Sequence, residues 1–239
     1  MKKTNRILFL FLTTIVTVFS SCTVDVEPID PTVLDENPII NPGENPANPS
    51  GDYWPMAINN QWTYKKNGTI DSPVKIIATE EFDGKTYYKY SKFLGTTLVD
   101  EANFSGDVWT RKENNTYYIR ESAFFQGQNT SPSITVLPND VIVLKDNLAV
   151  NQTWTQSYTQ TLLFGTLTVP SEVTVVGKIM EKDIQVTVNG QVYNEVIKVE
   201  LTRTTIISSV NYYWFAKNIG IIKFQDDTNT YEIVSQSLN

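Results

Sequence analysis

Cys22 is the only thiol in the 239-residue chain, and its neighbours select one chemistry for it. Lys2, Lys3 and Arg6 form a basic tip, Ile7 to Phe19 an apolar run, and Phe19-Ser20-Ser21-Cys22 closes it. This is the pattern of an export signal ending in a lipoprotein box, with Cys22 as the lipid acceptor and first residue of the mature chain. Phe19 stands where Leu is commonest and Ser21 where Gly or Ala is, but small residues before the cysteine keep the processing site accessible. The apolar run is shorter than the roughly 20 residues that a spanning helix needs, so residues 1–21 read as a removed signal.

The remaining residue types exclude much. Histidine is absent, which removes Ser-His-Asp triads, Cys-His pairs and His-containing zinc sites. No phosphate-cradling glycine loop and no serine-nucleophile motif is present. Carboxylate pairs are the only acid/base equipment. Glu80 and Glu81 are strand neighbours that face opposite ways. Asp226 and Asp227 with Asn229 could offer oxygens to calcium, but their spacing matches no calcium-loop signature and reads as a solvated turn. Arg203 shares strand parity with Ile197, Val199 and Leu201, so it either points inward as an anion clamp or sits at a rim with its guanidinium in water; the rim is expected. The expectation is a non-enzymatic protein with no cofactor and no metal; a hydrolase built on paired carboxylates is a third reading.

Adjacent aromatics are the less expected chemistry: Tyr53-Trp54, Tyr87-Tyr88, Tyr117-Tyr118, Phe124-Phe125 and Tyr212-Tyr213-Trp214-Phe215. Successive strand residues point to opposite faces, so a doublet places large apolar surface on both sides of a sheet. Something must cover the second face: protein, as in a two-sheet sandwich; an apolar or amphiphilic ligand held by a concave sheet; or sugar rings or a partner protein stacked on the surface. The ligand reading draws its candidate site from Tyr88, Trp109, Tyr118, Tyr213, Trp214 and Arg203. The glycan-binding or adhesive alternative uses Trp54, Trp109 or Trp214 as stacking platforms.

The elements that must position these residues follow from composition. From Thr23 to Asp52 the chain carries six of its eleven prolines and seven acids with no Lys or Arg. Proline donates no amide hydrogen and disfavours helix in its predecessor, so residues 22–52 read as a lipidated cysteine and an extended acidic tether, reaching roughly 90 Å at ~3.1 Å per residue. Residues 53–239 suffice for one domain burying roughly 70% of its unfolded surface. Val, Ile, Thr and Tyr dominate it, with turn dipeptides at Asn67-Gly68, Asp83-Gly84, Asn114-Asn115, Asn189-Gly190 and Asp226-Asp227. No window sustains a helical stripe, so an all-β antiparallel domain is expected. The run from Ala57 to Thr63 recurs from Ala149 to Thr155, Asp83-Gly84 recurs as Asn189-Gly190, and Val108-Trp109 echoes Tyr213-Trp214. These recurrences read either as a duplication with one insertion near residues 159–171 or as chance in a β-rich chain. Either way, Trp62 and Trp154 are expected to anchor strand starts in the core.

Removing Lys2, Lys3 and Arg6 from the 19 basic residues leaves 16 against 26 acids, about ten net negative charges. Nucleic acid and anionic membrane surfaces are therefore poor partners.

The segments Tyr53 to Tyr64 and Trp214 to Lys223 resemble motifs of uncharacterised exported lipoproteins of Bacteroidota, in which Pro-x-x-x-Gly-Asn-x-Trp and Trp-Phe-Ala-x-Gly-x-Gly frame a β domain. Asn59 and Asn218 stand here where Gly is commoner. Such proteins are similar in outline to β-clam lipoproteins, whose curved sheet holds acyl chains. The resemblance implies a single curved sheet or half-barrel, with a β-sandwich as alternative. It also implies lipid anchoring at the outer membrane, since Thr23 follows Cys22, facing the periplasm or the cell surface.

Overall fold

A computed structural model describes residues 51–94, 104–127 and 131–239. The signal segment, Cys22 and all but the last two tether residues lie outside the described residues.

The described residues form thirteen strands and no helix: β1 (Gln61–Lys66), β2 (Thr69–Ile70), β3 (Val74–Phe82), β4 (Lys85–Tyr90), β5 (Phe104–Glu113), β6 (Thr116–Phe125), β7 (Ile134–Lys145), β8 (Thr153–Phe164), β9 (Leu167–Val188), β10 (Gln191–Thr204), β11 (Ser208–Ala216), β12 (Gly220–Gln225) and β13 (Thr230–Ser237). From β3 to β13 each strand pairs with the next, and β1 joins β3 through Gln61↔Lys75 and Trp62↔Val74. β13 then returns to β1, from Gln61↔Ser237 to Lys66↔Tyr231. Twelve antiparallel strands thus close on themselves, and β2 is an extra short strand beside Lys65 and Lys66.

The all-β antiparallel expectation agrees with this; the half-barrel and the sandwich do not. An open sheet would leave two rows of unpaired N–H and C=O groups. Here those two edges satisfy each other, across a sequence separation that no local pattern encodes.

Turn chemistry shapes the hairpins. Asn67-Gly68, Asp83-Gly84 and Asn189-Gly190 have positive φ at both residues, 49° and 85°, 53° and 70°, 48° and 81°, as two-residue hairpin turns require. Asn59 and Asn218, the two positions where Gly is commoner in the resembling motifs, also have positive φ, 74° and 60°.

The inner wall carries the core. Along β9 Val173, Val175, Gly177 and Ile179, every second residue, are buried, and across from them Ile197, Val199 and Leu201 of β10 are buried too. Trp154 fills the space over Gly177, where a Cβ would sit 2.0 Å from its ring. At the end where residues 51–53 meet the strands, Trp54 closes the barrel, with ring centroids 5.8 Å from Phe93, 5.7 Å from Phe215 and 6.4 Å from Tyr90. Trp62 and Trp154, both buried, donate their indole N–H groups to the carbonyls of Ile219 and Ile142.

The outer wall answers what covers the second face. Lys89 lies over Trp109 at 5.3 Å and pairs with Glu80 and Asp107, while Arg120, opposite Trp109, pairs with Asp140. Lys198 and Lys223 flank Trp214 at 5.2 and 5.4 Å and pair with Glu181 and Glu232. Long cationic stems lie on the outward aromatics and keep their charges in water. Charge outside and apolar side chains inside is the reverse of a membrane-spanning barrel.

The registers of the two halves match. Gln61↔Lys75 and Trp62↔Val74 correspond to Thr153↔Lys178 and Trp154↔Gly177. Phe82↔Lys85 and Glu80↔Tyr87 correspond to Val188↔Gln191 and Val186↔Tyr193, and Lys89↔Trp109 to Lys198↔Trp214. Asn59 N–H donates to the Ile76 carbonyl as Asn151 N–H does to Ile179. The length difference is not one insertion: β8 and β9 are extended, and the β9–β10 hairpin adds residues on both strands, with positive φ at Asp183 and Glu195.

Candidate functional site

Toward the end opposite Trp54 the inward residues change from fully to partly buried. The inward residues here include Glu121 of β6, Tyr158 and Gln160 of β8 and Arg203 of β10, with buried Val108 beside Glu121, buried Val173 beside Tyr158, and Tyr213 also buried. The strand alternation that buries Ile119 also turns Glu121 inward, and the one that buries Leu201 does the same for Arg203. Glu121, Tyr158 and Arg203 are half-buried as residues.

Arg203 Nη2 donates only a long bond, 3.5 Å, to Gln160 Oε1, and Gln160 in turn donates to the Leu137 carbonyl. Arg203 Nε and the Tyr158 hydroxyl are enclosed without a well-aligned hydrogen bond among the described residues, and the two lie close enough for Arg203 to pull the Tyr158 hydroxyl down against its burial. No carboxylate among the described residues lies within ion-pair distance of Arg203. Burial pushes the Glu121 carboxyl up, and the Arg203 charge pulls it part of the way back. Burial pushes the Tyr213 hydroxyl up as well, with the Glu121 charge adding to it.

Beyond this level the inner wall turns apolar: Ala123 and Val136, then Leu162, Ile134, Phe164 and the Phe104–Phe125 pair, whose rings meet at 4.2 Å. Phe125 is 42% and Leu167 62% exposed at this mouth. An arginine, a tyrosine and a carboxyl group thus stand at the base of an apolar stretch of inner wall.

The wall beside this stretch has an unusual seam. β7 and β8 pair through backbone only at Ile134↔Phe164, Thr135↔Leu163 and Val136↔Leu162. Further along, the Ile142 N–H donates to Gln156 Oε1 at 2.9 Å and Gln156 Nε2 donates to the Asp140 carbonyl at 2.8 Å, so a side-chain amide stands in for the missing ladder.

A concavity of about 590 Å³ opens beside Trp54 and is lined by Asp52, Met56, Thr86, Tyr88, Lys112 and Glu113 among others. Its acids are ion-paired. Asp52 lies 3.6 Å from Lys112, and Glu113 is held below the usual carboxylate range by Arg111 and Lys85. A carboxylate held low is a poor proton donor near neutrality.

The sequence-derived site residues are therefore divided by the wall. Tyr213 and Arg203 reach the inside, and Tyr88 lines the cleft at the tether end. Trp109, Tyr118 and Trp214 are outside: Arg111 stacks on Tyr118 at 3.6 Å, and the two indoles lie under lysines. They form no single site. Arg203 is inward rather than in water at a rim, because β10 keeps its alternation past Leu201. Glu121, Tyr158 and Gln160 escaped the sequence reading, although Glu121 continues the parity of Tyr117 and Ile119, and Tyr158 that of Trp154. Glu80 accepts from the Trp109 indole at 3.0 Å on the outer wall. Asp226 Oδ1 accepts from the backbone N–H groups of Thr228 and Asn229, each at 2.7 Å, so the turn consumes its oxygen.

No family model matches the chain, and no curated protein matches it. Two crystal structures are similar in trace. One is a candidate lipoprotein from Parabacteroides distasonis, 9% identical, with a TM-score of 0.42 over 79% of this chain and 99% of that one. The other is a candidate exported protein with a YmcC-like fold from Bacteroides fragilis, 13% identical, with a TM-score of 0.44 over 78% and 99%.

Proposed function

We propose that this protein is a non-enzymatic envelope lipoprotein, anchored to the outer membrane through Cys22, whose barrel holds an apolar or amphiphilic small molecule in a chamber at Glu121, Tyr158 and Arg203. The observation that carries this reading is the change along the inner wall. One end is filled by Trp54, Trp62, Phe215 and their neighbours, whereas the other is half-buried, polar at its base and apolar at its mouth. Ligand chambers are concave, mostly apolar and fitted with a few convergent polar groups. The matching registers of β1–β7 and β8–β13 fit two copies of a six-stranded unit, which accounts for the recurring motifs.

The glycan-stacking alternative loses two of its platforms, since Trp54 is 2% and Trp109 6% exposed, and Trp214 is flanked by two lysines. The test is binding by residues 23–239, produced without lipid. An environment-sensitive apolar dye such as N-phenyl-1-naphthylamine should brighten on addition, and long-chain amphiphiles should displace it. Ala123→Trp, which fills the lane, should abolish the signal while β-sheet circular dichroism is kept; dye binding equal to wild type in that variant rejects the chamber as the site.

A further inference from the structure

Resting on the chamber reading above, we infer that the chamber selects single-chain amphiphiles with a carboxylate head, bound head-inward on Arg203 with the tail running out past Leu162 to the Phe104–Phe125 mouth.

Enclosing a guanidinium without an ion pair is unfavourable, because its hydration is lost and no opposite charge replaces it. Arg203 approaches that condition: no carboxylate pairs with it, Nε is enclosed with only the neutral Tyr158 hydroxyl near it, and Nη2 has one long bond to a neutral amide. Those two nitrogens form one edge of the guanidinium, with parallel N–H bonds spaced to meet both oxygens of a carboxylate. The enclosed Tyr158 hydroxyl is a further donor on the adjacent wall. Glu121, the nearby acid, forms no ion pair with Arg203, so it leaves that guanidinium edge to the head group. One guanidinium edge matches a singly charged, two-oxygen head.

The lane fits the tail. From Val175, which pairs with Arg203, to Leu167 at the mouth, β9 runs eight residues. At ~3.3 Å per residue and a strand tilt of about 40° this is roughly 20 Å along the barrel axis. Its inward side chains, Val169, Leu162, Val136 and Ala123, carry no charge. A head at the mouth and a tail at the base would reverse every match, placing methylenes against an unpaired cation.

The experiment compares oleic acid, methyl oleate and oleyl alcohol on lipid-free residues 23–239 at pH 8, by dye displacement and calorimetry. Wild type should bind the acid at least about tenfold more tightly than the ester, the scale of one charge-assisted hydrogen-bonded contact. Arg203→Gln should erase that ratio, and Arg203→Lys should restore part of it. Tyr158→Phe should lower acid affinity alone, and it keeps the test in force if Arg203→Gln misfolds. Equal affinity of wild type for acid and ester, or an unchanged ratio in Arg203→Gln, overturns the inference and leaves the chamber standing. Absence of binding by all three compounds overturns the chamber reading with it.

Discussion

Glu121 and Arg203 face one enclosed space without forming an ion pair, and this arrangement has a consequence in pH. Burial raises the Glu121 carboxyl above its unfolded value, against a smaller opposing pull from Arg203, while Tyr158 and Tyr213 face it as neutral hydroxyls. A raised carboxyl keeps its proton in the folded state over a range where the unfolded chain has released it. Glu121 therefore contributes its full stability below the unfolded carboxyl range, and that contribution is lost as pH rises through the folded value. In Glu121→Gln this part of the slope should vanish, so urea midpoints measured between pH 4 and pH 8 should fall less with rising pH than those of wild type. A parallel fall in both proteins would show Glu121 to be solvated. Strand parity made Arg203 legible as an inward candidate, but not how far β10 remains part of a closed wall; that depends on pairing with β9 and β11, which no single strand reports. The outward indoles misled for a related reason. An aromatic doublet states that both faces need covering, but not that lysine and arginine stems will do it.

Hairpins are the elements most legible in the chain, because Asn-Gly and Asp-Gly set backbone geometry within two residues. The β7–β8 seam is the least legible, since it is held by Gln156, a residue type with no strong positional meaning in a strand. Removing that amide leaves the Ile142 N–H and the Asp140 carbonyl without their partner on a half-buried wall. An unsatisfied buried group costs ~1–3 kcal/mol, so Gln156→Ala should lower stability by about 2–4 kcal/mol. Its signature should be local: hydrogen exchange should accelerate at Ile142 and its neighbours in β7, while amides in the β1–β13 pairing keep their protection. Uniform acceleration around the barrel would mean that the seam is no weaker than the other walls.

At the scale of the whole molecule, closure is the feature that composition, turns and alternation left open. β1 meets β13 at Gln61↔Ser237. Such a contact is specified only by the sum of twist, strand number and bulges between its ends. Closure also governs how the two similar halves depend on each other. Each six-stranded half alone would expose two edges and an apolar inner face, with Trp62, Tyr64 and Ile76 bare in one and Trp154, Ile179 and Val199 bare in the other. Segments 51–150 and 151–239, produced separately, should therefore be unfolded or self-associated. Mixed at equal concentration from denaturant, they should recover blue-shifted tryptophan emission and the sedimentation of the intact barrel, because β7 with β8 and β13 with β1 then supply each other's missing edges. The stronger of these two seams should decide which break is tolerated. A cut in the turn between β7 and β8, where only three backbone pairs lie, should leave a complex that reassembles. Removal of residues 230–239, which deletes β13 and all its pairs with β1, should abolish folding. Independent folding of either half into a monomer with native emission would show that closure follows folding rather than driving it.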